Sequence, residues 1–202
     1  MQEKKENSVF RIAFNLIAAC FISGLVIGAV YYVTAPIAAQ KAEEMKEASL
    51  RELVPSADSF QEISGKDGWV EARTGKEVSA YIIPSESKGY GGTIKMLVAV
   101  TLDGRVLDYK ILSHNETPGL GDNAQKPAFR KQFEGKGLEH LTVVKDPANK
   151  EDIQAMTGAT ISSRAVTKAV RQAVEEARTL AGGRADAETS ATKKHSKEKG
   201  GD

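Results

Sequence analysis

The sequence is poor in cysteine and histidine and carries almost no excess charge. Cys20 is the single cysteine, so no disulfide can close within the chain. An iron–sulfur cluster takes about four thiolates and a Cys-rich zinc site several, so neither is expected, and haem attachment through CxxCH is excluded. His114, His140 and His195 are scattered without metal-ligand spacing. Lys and Arg number 28 against 27 Asp and Glu. That balance lacks the basic surplus that binding a nucleic-acid backbone calls for, and no nucleic acid is expected as a partner. No GxGxxG follows a candidate strand, which leaves no dinucleotide fingerprint. Any redox role must therefore rest on an organic cofactor other than NAD.

What the chain does have is a long apolar run. Residues 12–33 hold no charged side chain over 22 positions. As a helix rising ~1.5 Å per residue they reach roughly 33 Å, enough to cross a bilayer. Tyr31 and Tyr32 stand at one end, where an aromatic belt would place them. A cleaved signal is the first alternative, with small residues at 35–39, but the run exceeds the about 7–15 residues of a signal core. A lipoprotein signal is the second, because Ile17-Ala18-Ala19-Cys20 resembles a lipidation box. Against it, the chain stays apolar well beyond Cys20. The expectation is an uncleaved single-pass helix in the cytoplasmic membrane. Lys4, Lys5 and Arg11 precede it, while Lys41, Lys46 and Arg51 follow more thinly. This asymmetry leans toward a cytoplasmic tail over 1–11 and an extracytoplasmic remainder. Pro36 is read as the exit, with 34–62 a charged juxtamembrane helix and linker.

Residues 63–182 read as an α+β domain, a small antiparallel sheet with packing helices. Strand candidates fall at 69–73, 78–84, 93–101, 105–113 and 141–145, and a short helix at 123–133. Leu102-Asp103-Gly104 between two β-rich runs signals a hairpin. From about 162 to 181, Ala165, Val166, Ala169, Val170, Ala173, Val174, Ala177 and Leu180 recur at the spacing of an amphipathic helix. Gly182-Gly183 is expected to stop it, and 183–202, polar and charged, to be disordered.

Met156-Thr157-Gly158-Ala159-Thr160-Ile161-Ser162-Ser163 lies at the mouth of that helix. A helix N-terminus presents unpaired N–H groups and a positive dipole end, so it suits an anion. Gly158 and Ala159 leave room, and Thr160 offers a hydroxyl. The residue types alone also fit ordinary capping by Thr157, Thr160, Ser162 and Ser163.

Thr157-Gly158-Ala159-Thr160 followed by Ile161-Ser162-Ser163 resembles the flavinylation motif of the FMN-binding domain family. The resemblance implies FMN joined through a phosphoester to Thr160 by a separate flavin transferase, which takes FMN from FAD. The family generally has an acidic residue three places before the first threonine, where this chain has Gln154; Asp152 lies two residues earlier. Two more segments resemble the family's flavin-contacting loops. One is Gly89-Tyr90-Gly91-Gly92, the other His114-Asn115-Glu116-Thr117-Pro118-Gly119-Leu120-Gly121. The implied cofactor contacts are Tyr90, Gly91, Glu116, Thr117, Gly119, Leu120 and Gly121, with Thr157, Gly158, Ala159, Ile161 and Ser162 around Thr160. Each segment also reads as a plain turn or a rigid Pro-Gly loop, and Tyr90 as a core residue. No metal-binding or catalytic residue is implied.

One membrane helix followed by one such domain resembles the G subunits of Rnf-type electron-transport complexes. That resemblance implies an electron relay within an ion-translocating (Na+ or H+) ferredoxin:NAD+ oxidoreductase. The implied partners are its other membrane and peripheral subunits and membrane lipid. Two alternatives stand: a flavin relay serving another reductase, and a non-redox membrane-anchored binding module.

Overall fold

A computed structural model of the chain describes residues 3–198. The chain divides into two compact units, 1–48 and 49–202. Helix α1 (Glu3–Leu53) supplies the first unit and continues for its last turn into the second. Its segment Phe10–Pro36 is long and apolar enough to cross a membrane, extending beyond 12–33 at both ends. Phe14, Leu16, Leu25 and Val30 point outward and are exposed, as contact with lipid requires. Pro36 does not end the helix; it lies inside α1, so the expected break before a separate juxtamembrane helix is absent. Proline removes one N–H from the ladder, and the Ala-, Glu- and Lys-rich sequence that follows favours helix strongly enough to continue it. Thr34 Oγ1 donates to the Val30 carbonyl at 2.8 Å just before this point.

The second unit is α+β, as expected. Five strands, β1 (Ser59–Glu62), β2 (Val70–Thr74), β3 (Glu77–Lys88), β4 (Thr93–Thr101) and β5 (Val106–Ser113), form one antiparallel sheet in sequence order. The β4–β5 connection turns at Gly104, whose φ of 76° is open to glycine at little cost. Thr101 Oγ1 accepts the Arg105 N–H at 3.0 Å and closes it. β1 has no counterpart among the expected strands.

Side chains alternate across the central strands. From β3 and β4, Tyr81, Ile83, Ile94, Met96, Val98 and Val100 enter one core, while Ala80, Ile82, Leu97 and Ala99 enter another. Both faces of the sheet are therefore covered. Leu50, Leu53 and Val54, at the end of α1, cover the second face. The first is covered by α3 (Thr160–Glu198) through Ala165, Val166, Ala169, Val170, Ala173, Val174 and Ala177. Alanine alternating with valine lets the helix approach closely: Ser85 Oγ on β3 donates to the Ala169 carbonyl at 2.8 Å.

Between β5 and α3 the chain forms a 3₁₀ turn (Gly121–Gln125), the short α2 (Pro127–Arg130) and a parallel two-strand pair, β6 (Val143–Val144) with β7 (Ile153–Gln154). The expected helix over 123–133 is thus split, because Pro127 lacks the N–H that an unbroken helix would need there and starts a new one instead. Phe133 meets Tyr109 and Phe129 edge-on at 5.1 and 5.4 Å between ring centroids. The Tyr109 hydroxyl donates to the Ala124 carbonyl at 2.6 Å, and burial pushes its pKa far above the ordinary range. α3 passes Gly182-Gly183 and runs to Glu198, which replaces the expected disorder over 183–198 with helix. No proline follows the glycines, and the Ala-, Glu- and Lys-rich sequence restores helix propensity. The rest of that stretch, 199–202, lies outside the described residues.

Candidate functional site

The β3–β4 turn, the loop after β5 and the mouth of α3 converge on one cleft of about 610 Å³. Tyr90 comes from the turn, and Glu116, Thr117, Leu120 and Gly121 from the loop. Gly158, Ala159, Thr160, Ile161 and Ser162 come from the helix mouth. Segments separated by about 70 positions in sequence thus share a wall. Gly91, Gly119 and Thr157, the other expected contact residues, do not line it.

Glu116 ties the three segments together. The residue is 6% exposed. Oε1 accepts the Gly91 N–H at 2.9 Å, and Ser162 Oγ donates to Oε2. The glycines around it make way for this carboxylate. A Cβ at Gly89 would stand 2.3 Å from Oε1, and one at Gly121 2.5 Å from Oε2. At Gly91 it would stand 1.9 Å from the Asn115 carbonyl oxygen. The reason for these glycines is therefore packing against Glu116 and its loop, beyond any approach of a planar ring. The Glu116 N–H in turn donates to His114 Nδ1 at 3.1 Å.

The helix mouth is arranged differently. Gly158 takes φ 75°, and Ala159 N–H closes a turn on the Met156 carbonyl at 3.0 Å. Ser163 staples this turn: its Oγ accepts the Met156 N–H and donates to the Ala159 carbonyl, each at 2.9 Å. Ser162 is committed to Glu116. The N–H groups of Thr160, Ile161 and Ser162 find no acceptor among the described residues, and neither does Thr160 Oγ1 find a partner. Three free donors at the positive end of a long helix suit an anion.

Two residues entered the argument only through the structure. Lys145, directly after β6, lines the cleft, is exposed and has no ion-pair partner among the described residues. A lone lysine between motifs has no sequence signature. Asp122, next to Gly121, has a buried Oδ1 without a hydrogen-bond partner. Gln154 does not line the cleft. Its N–H donates to Gln132 Oε1 and its Nε2 to the Asp146 carbonyl, both at 2.8 Å, which braces the turn before β7. Asp152 is also elsewhere, accepting from Asn149 Nδ2 at 2.8 Å.

The set fits a phosphorylated planar cofactor. The free donors and the Thr160 hydroxyl suit a phosphate, and Tyr90, Leu120 and Ile161, at 71%, 42% and 55% exposure, give apolar surface for a ring. Exposed apolar side chains gathered at a cleft mark a binding site more strongly than the same residues scattered.

The FMN-binding domain family matches residues 89–175. The chain is 55% identical over 183 residues to the G subunit of the proton-translocating ferredoxin:NAD(+) oxidoreductase complex of Clostridium ljungdahlii, covering 91% of this chain and 99% of that protein. It is 29% identical over 188 residues to the G subunit of the Na(+)-translocating ferredoxin:NAD(+) oxidoreductase complex of Acetobacterium woodii, covering 83% and 90%. The crystal structure of Shewanella oneidensis NqrC aligns at 20% identity with a TM-score of 0.44, over 58% of this chain and 65% of that one, just under two thirds of its length.

Proposed function

This chain belongs to the family of G subunits of ion-translocating ferredoxin:NAD(+) oxidoreductase complexes, and from that premise we propose that it is the membrane-anchored flavin subunit of such a complex, with FMN esterified to Thr160. The observation that carries the reading is the cleft. A free hydroxyl stands among free N–H donors, and all three family-like segments meet there.

Bound FMN supplies one- and two-electron redox chemistry. The chain's own residues hold it. Thr160 Oγ would bond the phosphorus, and the N–H groups of Thr160, Ile161 and Ser162 would carry the phosphodiester charge. Tyr90, Leu120 and Ile161 flank the ring. Glu116 keeps the loop and the helix mouth at a fixed spacing. A flavin transferase would make the ester, moving FMN from FAD onto the Thr160 oxygen with AMP as the leaving group. An ester tether keeps the cofactor where free FMN is scarce and leaves the ring unmodified.

Phe10–Pro36 anchors the subunit among the complex's other membrane and peripheral subunits. Confinement to a bilayer raises the effective concentration of a relay beside its partners. The uneven Lys and Arg placement directs the domain to the extracytoplasmic side. The chain relays electrons between partners, with NAD and ferredoxin handled by other subunits. Intact mass of the native protein tests the reading: one FMN less one water is expected above the sequence mass, and an unmodified mass overturns it. Protease added to right-side-out spheroplasts should digest the domain beyond Pro36; protection there, with digestion only in inverted vesicles, overturns the topology.

A further inference from the structure

We propose that Lys145 sets the redox potential of the cleft, its ammonium pairing with the negative charge that reduction places on the ring. The inference rests on the flavin reading above. Lys145 lines the same cleft as Thr160, Tyr90 and Glu116. Among the described residues the cleft has two charged side chains in its lining, and they are used in opposite ways. Glu116 is buried, and both its oxygens already serve Gly91 and Ser162. Lys145 is exposed and unpaired among the described residues, so its charge is available to whatever occupies the cleft.

A tethered flavin brings two negative charges. The phosphodiester charge would be permanent and would fall to the free N–H groups of Thr160, Ile161 and Ser162, which have no backbone acceptor among the described residues. The ring charge appears only on reduction, and no other cation among the described residues lines the cleft to meet it. A positive charge within a few ångströms favours the form bearing the added electron charge, which raises the potential. The short β6–β7 ladder fixes where Lys145 leaves the backbone. Ile153 N–H donates to the Thr142 carbonyl and Ala155 N–H to the Val144 carbonyl, each at 2.9 Å. The side chain therefore starts from a braced position, although its head is solvated.

The test uses the full chain in detergent, flavinylated by coexpressed transferase, with Lys145→Gln, Lys145→Glu and Lys145→Arg. Intact mass measures loading, and spectroelectrochemistry measures the midpoint potential in low and high salt. Wild-type loading is expected in all three. The midpoint should fall in Lys145→Gln, fall further in Lys145→Glu and stay near wild type in Lys145→Arg, with the differences shrinking in high salt because the group is exposed. Unchanged midpoints in Gln and Glu overturn the proposal. So does a loss of loading in Gln and Glu, since Lys145 would then serve attachment. A wild-type protein with no covalent flavin fails differently: it overturns the flavin reading itself and this proposal with it.

Discussion

Two of the clefts on the 49–202 unit use their polar groups in opposite ways. One, of about 440 Å³, lies where the last residues of α1 meet β5 and α2, and includes Glu52, Asp108 and Arg130 in its lining. Its central charges are matched. Arg130 donates from Nε to Asp108 Oδ1 at 3.2 Å, from Nη2 to Asp108 Oδ2, and from Nη1 to Glu52 Oε1 at 3.2 Å. Lys110 donates to Glu52 Oε2 at 2.5 Å. Among the described residues the other cleft holds a free hydroxyl, free helix-mouth donors and a free lysine around one carboxylate whose two oxygens are both engaged. A matched cluster fastens one element to another. Groups left unmatched in a braced frame remain available to a ligand. The contrast, more than size, favours the second cleft as the candidate site.

The sharpest way to break the comparison is at Thr160. Thr160→Ala removes the acceptor oxygen and no side-chain hydrogen bond among the described residues, so the expected outcome is a folded, colourless chain of unmodified mass. Retention of FMN through denaturation would remove Thr160 from its role. Thr160→Ser keeps the hydroxyl and should still load.

Glu116 belongs to the open cleft yet behaves like the matched one. Glu116→Ala leaves the Gly91 N–H and Ser162 Oγ without their acceptor, at a cost of about 1–3 kcal/mol. It also loosens the helix mouth, and a displacement near ~1 Å should slow loading by about 10- to 100-fold. Glu116→Gln preserves length and can bond both partners, so it should load at close to the wild-type rate. Time courses of flavin fluorescence on denatured protein would check this. If Gln were as slow as Ala, the negative charge, and not the spacing, would be what matters.

At the matched cleft the pattern reverses. Arg130→Ala strips the half-buried Asp108 of its ion pair and should lower stability by about 1–3 kcal/mol. Asp108 keeps only the Tyr109 N–H at 2.7 Å. Loading of Thr160 should be unaffected. Thermal melts and intact mass on one preparation separate the two effects, and a loading defect would show that the clefts are coupled.

The sequence made legible what repeats or turns. Asp103-Gly104 marked the β4–β5 hairpin, and the Ala/Val spacing from Ala165 to Ala177 marked the buried face of α3. Strands of two residues such as Ile153–Gln154 carry no periodicity, and β1, with the exposed Ser59, Gln61 and Glu62, has little apolar signal. Pro36 and Gly182-Gly183 read as breaks because each is unfavourable in a helix, but helix-favouring neighbours outweigh them. At the site, residue types named the segments that converge. They did not distinguish a carboxylate that faces a cofactor from one that holds two loops together, as Glu116 does. Gly91 shows the same limit: its missing side chain makes room for the Asn115 carbonyl, which no motif records.

The smallest expected effect belongs to the acid response of the matched cleft. The hydrogen bond from Lys110 holds the Glu52 carboxyl below the ordinary glutamate range, with help from Arg130 and against a partial cost of burial. A carboxyl whose folded pKa is depressed adds stability above its unfolded pKa, and that contribution is lost as pH falls through the folded value. Melting temperature should therefore decline from the ordinary glutamate range of about 4.3 downward, and more steeply in wild type than in Glu52→Gln. Glu52 is 46% exposed, so water screens the pair and the difference should be small and smaller still in high salt. The proposed ester at Thr160 would be covalent and would lie in the other cleft, so flavin content should not change over the same titration. Equal acid slopes in the two proteins would show that Glu52 contributes nothing measurable, and that the packing of Leu50, Leu53 and Val54 holds the end of α1 without it.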